Sequence, residues 1–85
     1  MKNTNTKISR KLGLAIKHTR KTLKLSQTEL ADLAGTSLNY ISQLEIGKPK
    51  AQLDKLLDVL EVLGLELSLG SGSSKLIISK DINLE

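Results

Sequence analysis

Cysteine is absent from this 85-residue sequence and histidine occurs once, at His18. Disulfides, thiolate zinc sites and cysteine nucleophiles are therefore excluded together, and so is a metal site built from several imidazoles of one chain. His18 lies beside Lys17 and Arg20 in a basic segment, where no Ser-His-Asp arrangement is credible. We expect a protein that is not an enzyme and that has no cofactor and no metal.

Aromatic residues and long apolar runs are scarce as well. Tyr40 is the only aromatic residue, so the stacking rings of a platform for single-stranded nucleic acid are missing. No apolar run approaches the roughly 20 residues of a membrane-spanning helix, and residues 1–7 lack the apolar core of a secretion signal. A basic amphipathic helix can also bind a membrane or a calmodulin-type partner, but here it has no Trp or Phe anchor. We expect a soluble, intracellular protein with no membrane partner.

Acidic residues are missing from residues 2–24, which contain eight lysine and arginine residues. Residues 51–85 reverse this balance with six acids and three lysines, and the net charge of the chain is +4. A basic half favours a polyanionic partner, although an ordinary solvated helix face has the same composition. The length suits one small domain, and domains of this size often depend on an oligomer partner for stability.

Hydrophobic spacing and capping signals predict two helices in the first half of the chain. The first covers about 9–23 and contains Gly13, which indicates close packing. The second begins with a capping box at residues 26–29 (Ser-Gln-Thr-Glu) and ends at Gly35, because glycine enters the left-handed cap conformation without steric cost.

Two further helices follow. The third covers about 38–45 and ends at Gly47, and the fourth covers about 52–63 and ends at Gly64. Apolar residues that recur every three or four positions in the four helices define the predicted core. These residues are Leu12, Ala15, Ile16, Thr19, Leu23, Leu30, Ala31, Ala34, Ile41, Leu44, Leu53, Leu56, Leu57, Leu60 and Leu63.

After the fourth helix the hydrophobic period changes to two. Residues 65–69 (Leu-Glu-Leu-Ser-Leu) alternate strictly, which predicts a half-buried strand, and residues 75–80 form a second candidate strand. The predicted organisation is therefore a flexible basic segment over 1–8, a helical domain over 9–64, a β segment over 65–79 and a tail over 80–85.

The connection between the second and third helices carries the functional signal. Residues 34–37 (Ala-Gly-Thr-Ser) form a tight turn that sets the two helices at a steep angle, so the third helix can protrude into a DNA major groove. Asn39 and Gln43 lie four residues apart on one face, and each amide can pair with adenine, while Leu38 can pack on a thymine methyl group. The alternative is that Asn39 and Gln43 are ordinary surface amides.

Polar residues flanking these helices are candidates for phosphate contacts, which position a protein on DNA without reading sequence. Gln27 stands at the start of the second helix, where free backbone amides favour an anion. Lys48 and Lys50 follow the third helix and can bind phosphates; simple solubility is the alternative for both.

Three segments resemble the phage-repressor, Cro-like (XRE) helix-turn-helix family, whose fold is the lambda-repressor-like bundle. They are residues 23–31 (Leu-Lys-Leu-Ser-Gln-Thr-Glu-Leu-Ala), 34–37 (Ala-Gly-Thr-Ser) and 40–48 (Tyr-Ile-Ser-Gln-Leu-Glu-Ile-Gly-Lys), within a match over residues 9–63. The resemblance implies a mainly α bundle of four to five short helices that binds specific double-stranded DNA, in the cytoplasm of a bacterium or derived from a phage.

The resemblance also assigns roles to particular residues. The base contacts fall on Ser37, Leu38, Asn39 and Gln43. Gln27 supports them from the second helix, and an ion pair between Arg20 and Glu45 fixes the angle of the reading helix. Tyr40 would lie near the DNA backbone, where its hydroxyl can bind a phosphate; a half-buried packing role is the alternative.

The strand after the fourth helix predicts a homodimer. Its unpaired edge needs a cover, and the simplest one is the same strand of a second copy, beside the leucine face of the fourth helix. A dimer would also set two reading helices about 34 Å apart, which matches a palindromic operator. The predicted interface residues are Leu60, Leu63, Leu65, Leu67 and Leu69.

Residues 64–69 (Gly-Leu-Glu-Leu-Ser-Leu) after the fourth helix resemble the HipB-type antitoxins of HipA-type toxin–antitoxin modules. That resemblance implies a repressor of its own operon that also binds a HipA-like toxin with a kinase fold. The acidic C-terminal half and residues 76–78 would suit a partner-binding surface, with a mobile tail as the alternative. A free-standing phage or restriction-controller repressor is the other interpretation.

Overall fold

The computed structural model describes the backbone of residues 4–48, 52–69 and 76–80 and the side chains of residues 8–48 and 52–66. These residues form four helices and a two-stranded antiparallel sheet, as the mainly α prediction with C-terminal strands requires. The elements are α1 (Thr4–Thr22), α2 (Gln27–Ala34), α3 (Leu38–Glu45), α4 (Leu53–Leu63), β1 (Leu65–Leu69) and β2 (Leu76–Lys80). None of the described helices is both long enough and apolar enough to cross a membrane.

Helix α1 begins at Thr4, five residues before the predicted start at Ser9. Ile8 is half-buried one turn before Leu12, so the apolar stripe of the helix extends further towards the N-terminus than the sequence analysis assumed. The part of the predicted flexible segment from Thr4 onwards is therefore helical. Leu23 was predicted to face inward but is exposed, because the helix has already ended before it.

Helix α2 begins and ends as its capping signals predict. The Ser26 amide donates to Glu29 Oε1 at 2.7 Å, and the Glu29 amide donates to Ser26 Oγ at 2.9 Å. Gly35 follows the helix with φ +69°, in the left-handed conformation that glycine adopts without strain. The capping box therefore fixes the start of the short helix, and Gly35 fixes its end.

The core lies between the four helices and contains most of the predicted residues. Buried as predicted are Leu12, Ile16, Thr19, Leu30, Ala31, Ala34, Ile41, Leu44, Leu56, Leu60 and Leu63. The prediction for Leu53 and Leu57 is wrong, since these side chains are 68% and 50% exposed. Val59, which was not predicted to be in the core, is fully buried. The buried side of α4 consists of positions 56, 59, 60 and 63 and is narrower than the predicted face.

Strand β1 pairs with β2 of the same chain, with Leu65 opposite Lys80 and Leu69 opposite Leu76. The predicted pairing of β1 with a second copy stays a prediction, since β2 covers one edge of β1 and the other edge has no partner among the described residues. Six residues separate the strands, enough for the chain to turn back on itself and supply the partner locally. The start of β1 also packs on α4, and Leu65 is only 8% exposed.

Candidate nucleic-acid interface

Helix α3 packs on α1 and α2 with one side and is open on the other. Ile41 and Leu44 are buried on the packed side. The turn before α3 is held by Gly35 and by the Thr36 amide, which donates to Ala31 O at 2.9 Å. Since α2 and α3 are both short and both anchored in the core, their relative angle is fixed.

The open side of α3 carries the side chains predicted to read bases. Ser37 is the N-cap, and its Oγ accepts from the Tyr40 amide at 3.1 Å while its hydroxyl proton stays available to donate. Leu38 is 48% exposed and Asn39 is exposed. Gln43 is half-buried one turn after Asn39, so the two amides lie on the same side of the helix.

The C-terminal end of α3 is fixed by a buried ion pair between α1 and α3. Arg20 Nε donates to Glu45 Oε2 at 2.6 Å and Arg20 Nη2 donates to Glu45 Oε1 at 3.0 Å. The two side chains are 9% and 3% exposed. The hydrogen bond to Glu45, with the charge of that carboxylate, raises the pKa of Arg20 above its ordinary value despite desolvation. This is the pair that the family resemblance predicts from sequence.

Gln27 belongs to the same network. Its Nε2 donates to Glu45 Oε1 at 3.0 Å, so the first residue of α2 is tied to the last residue of α3. An amide nitrogen has two protons, so the bond to Glu45 uses one of them, and the predicted phosphate contact of Gln27 stays a prediction. The bond to Glu45 was not predicted, because residues 18 positions apart give no local signal.

Glycines bring α1 very close to α3 and to the loop after it. A Cβ on Gly13 would collide with Leu44 O and would lie 2.8 Å from Glu45 O, and a Cβ on Gly47 would lie 2.9 Å from the Arg10 Cα. The close packing predicted from Gly13 is confirmed, with the end of α3 as the partner. The approach of Gly47 to Arg10 was not predicted, since its helix-ending role already explained the residue.

Tyr40 is engaged within the chain, and its predicted phosphate contact stays a prediction. Its hydroxyl donates to Gln52 O at 3.1 Å, and its ring is half-buried against the core. A phosphate accepts hydrogen bonds only, and a phenol has one proton to give, so this hydroxyl is already engaged. Burial raises the pKa of Tyr40 despite the hydrogen bond to Gln52, and the nearby Asp54 charge adds to the rise. The packing alternative is the one that the geometry favours.

The other predicted positions are found as follows. Lys48 is exposed directly after α3, whereas Lys50 lies outside the described residues, as do the side chains of Leu67 and Leu69. The remaining residues of the predicted dimer interface are Leu60, Leu63 and Leu65, which are buried in the core of one chain. These three leave little surface for a second copy, because their side chains are already covered by the helices around them.

Comparison with known proteins agrees with this geometry. A family model described as Helix-turn-helix matches residues 16–69, which include α2 and α3, the two ion-pair residues and β1. The chain belongs to this family of DNA-binding transcription regulators. The predicted resemblance to XRE-type helix-turn-helix proteins is thereby confirmed.

One sequence relative and one solved structure refine the comparison. An uncharacterized HTH-type transcriptional regulator, y4mF of Sinorhizobium fredii (strain NBRC 101917 / NGR234), is 43% identical over 58 residues, which are 68% of this chain and 76% of the relative. A chain in the structure of a HipA–HipB–O2–O3 complex matches with a TM-score of 0.68 and 26% identity, over 76% of this chain and 92% of that one. The fold is therefore HipB-like.

Proposed function

We propose that this protein is a transcriptional repressor that binds one palindromic DNA operator as a homodimer. The observation that carries the proposal is the outward side of α3. Leu38 and Asn39 are exposed there and Gln43 is half-buried, while the opposite side of the helix is buried in the core. Side chains that must discriminate bases need a rigid support, because an amide that can swing pairs equally well with wrong partners.

Within this proposal some residues contact base edges and others contact phosphates. Asn39 and Gln43 read adenines through their amides, Leu38 packs on a thymine methyl group, and the Ser37 hydroxyl donates to a base edge. Lys48, Lys50 and the second amide proton of Gln27 bind phosphates, which fixes the register of the protein on the duplex.

Selection of bound duplexes from a random pool tests the proposal. The wild-type chain should enrich a palindromic consensus with adenine at a fixed position in each half. A double variant, Asn39→Ala with Gln43→Ala, is the matched control, because Asn39 is exposed, Gln43 is only half-buried and neither belongs to the buried core. It should stay folded and enrich no consensus. A wild-type chain that retains all duplexes equally would refute sequence-specific repression.

We propose further that the repressor is the antitoxin of a type II toxin–antitoxin module, which represses its own operon and binds a HipA-like kinase toxin. One observation supports this: the chain shares its fold with a component of a HipA–HipB–O2–O3 complex. The module requires a kinase-fold reading frame beside this gene, whose product should copurify with the coexpressed chain.

A free-standing regulator is the second candidate function. The relative from Sinorhizobium fredii favours it, since that protein is described as a transcriptional regulator and has the higher identity to this chain. The neighbouring reading frame separates the two candidates. A methyltransferase, or a kinase-fold protein that fails to copurify, would support the free-standing regulator and leave the DNA-binding proposal intact.

A further inference from the structure

Lys24 has an unusual backbone conformation. Among the described residues it is the only one other than glycine with a positive φ, at +61°. This left-handed conformation crowds any side chain that has a Cβ, and glycine or asparagine is the residue usually found there. A lysine at this position therefore lowers folding stability relative to glycine, and no packing contact requires it, because the side chain is exposed.

The turn that contains Lys24 is rigid and is tied to the reading helix. The Lys24 amide donates to Lys21 O at 3.0 Å and the Leu25 amide donates to Arg20 O at 3.1 Å, which closes the end of α1. Arg20 Nη1 also donates to Leu25 O at 2.8 Å. Since Arg20 is bound to Glu45 at the end of α3, one guanidinium group sets the position of Lys24 relative to the reading helix.

The charge of Lys24 has no partner in the described part of the chain. The ion pair of Arg20 and Glu45 is the only one found there. The nearest acid along the sequence is Glu29, and its Oε1 already accepts from the Ser26 amide. Lys21, also exposed, adds a second positive charge one turn earlier. An exposed ammonium group that leaves a fixed backbone position and has no carboxylate partner is suited to a phosphate of the DNA backbone.

We propose that Lys24 binds an operator phosphate, and that the strained turn is retained because its backbone, tied through Arg20 to the end of α3, is the point from which this lysine reaches the phosphate. The inference rests on the proposed repressor function and adds a phosphate contact outside the predicted set. It also explains why a lysine is present at a position whose backbone conformation favours glycine.

Substitutions that separate charge from backbone strain test this inference. Lys24→Gln removes the charge and keeps the strain, so it should weaken binding without raising the melting temperature. Lys24→Gly removes both and Lys24→Arg keeps both, while Lys17→Gln removes one exposed α1 charge and serves as the control for net charge. Lys24→Gly should raise the melting temperature by roughly 3–8 °C. It should also weaken binding of the selected duplex about five- to tenfold at 0.1 M salt and lower the salt slope by about 1. Lys24→Arg should leave both quantities near wild type.

Three results would overturn the inference. The first is an unchanged duplex affinity of Lys24→Gly, which would mean that Lys24 makes no contact with the duplex. The second is an equal loss of affinity in Lys17→Gln, which would mean that net charge alone causes the effect. The third is a lowered melting temperature in both Lys24→Gly and Lys24→Asn, which would mean that the turn is not strained. If the wild-type chain itself selects no duplex, the repressor proposal fails, and that outcome is distinct from these three.

Discussion

The buried pair of Arg20 and Glu45 shows how single residues set the geometry of the interface. Removing two charges from water is costly, and close attraction offsets this cost only if the remaining hydrogen-bonding atoms are also satisfied. Here both Glu45 oxygens accept from Arg20, and Gln27 adds a further bond. Such a pair contributes more to the direction of α3 than to net stability.

Removing one partner of this pair should lower the free energy of unfolding far more than replacing both with apolar residues. Glu45→Ala leaves the Arg20 charge buried without its carboxylate and should cost about 3–5 kcal/mol in the free energy of unfolding, measured by urea denaturation. The double variant Arg20→Met with Glu45→Leu should recover most of that loss but not the affinity for the operator. Equal stability of the single and double variants would contradict this interpretation.

The pKa of Tyr40 gives a second test, which is simple because the chain has one tyrosine. Burial raises this pKa in the folded state, so the absorbance change of tyrosinate should have its midpoint above the ordinary value of about 10. Stability linked to Tyr40 is then complete below pH 10 and is lost as the pH rises through the folded pKa. Urea-unfolded protein should titrate near the ordinary value; identical midpoints in the two states would exclude a buried hydroxyl.

Helix packing at Gly13 allows a test in which two effects have opposite signs. Alanine is favoured over glycine inside a helix by about 1 kcal/mol, so propensity alone predicts that Gly13→Ala stabilises the protein. The collision with Leu44 O predicts instead a loss of roughly 1–3 kcal/mol, because α3 must move away from α1. Lys17→Ala on the exposed side of α1 is the control and should be neutral or mildly stabilising. A stabilised Gly13→Ala protein would contradict the close contact.

How far the sequence predicts this fold depends on how local each signal is. The capping box, the glycine stops and the alternation of β1 act over a few residues, and each is found where the sequence indicates it. Three features were not predicted, because each depends on which element packs against or pairs with the segment. These are the start of α1 at Thr4, the outward direction of Leu53 and Leu57, and the pairing of β1 with β2.

The same distinction applies to the interface. The outward residues of α3 follow from helix periodicity, and the family resemblance supplies the Arg20–Glu45 pair. The hydrogen bond of Tyr40 to Gln52 favours the packing role of that residue, and the bond of Gln27 to Glu45 adds a structural role. Neither follows from residue type, since a tyrosine or glutamine has several possible partners and the fold decides among them.

The charge of the whole chain is divided between its two halves, which suits DNA at one end and protein at the other. If the protein binds a palindrome as a dimer, sedimentation at micromolar concentration should give the mass of two chains, with two chains per consensus duplex. A duplex with one half-site should bind more weakly and with a smaller salt slope, because it offers fewer phosphates. A monomer that binds half-site and palindrome equally would contradict the homodimer.

The most direct test compares Gln43→Ala with Lys48→Ala on the selected duplex and on duplexes with one base pair changed, by fluorescence anisotropy over a range of salt concentrations. Gln43→Ala should lose about 1–3 kcal/mol of discrimination at one base position and keep the salt slope. Lys48→Ala should weaken binding to every duplex alike and lower the slope by about 1. If the two variants behave in the same way, α3 does not read bases from its open side.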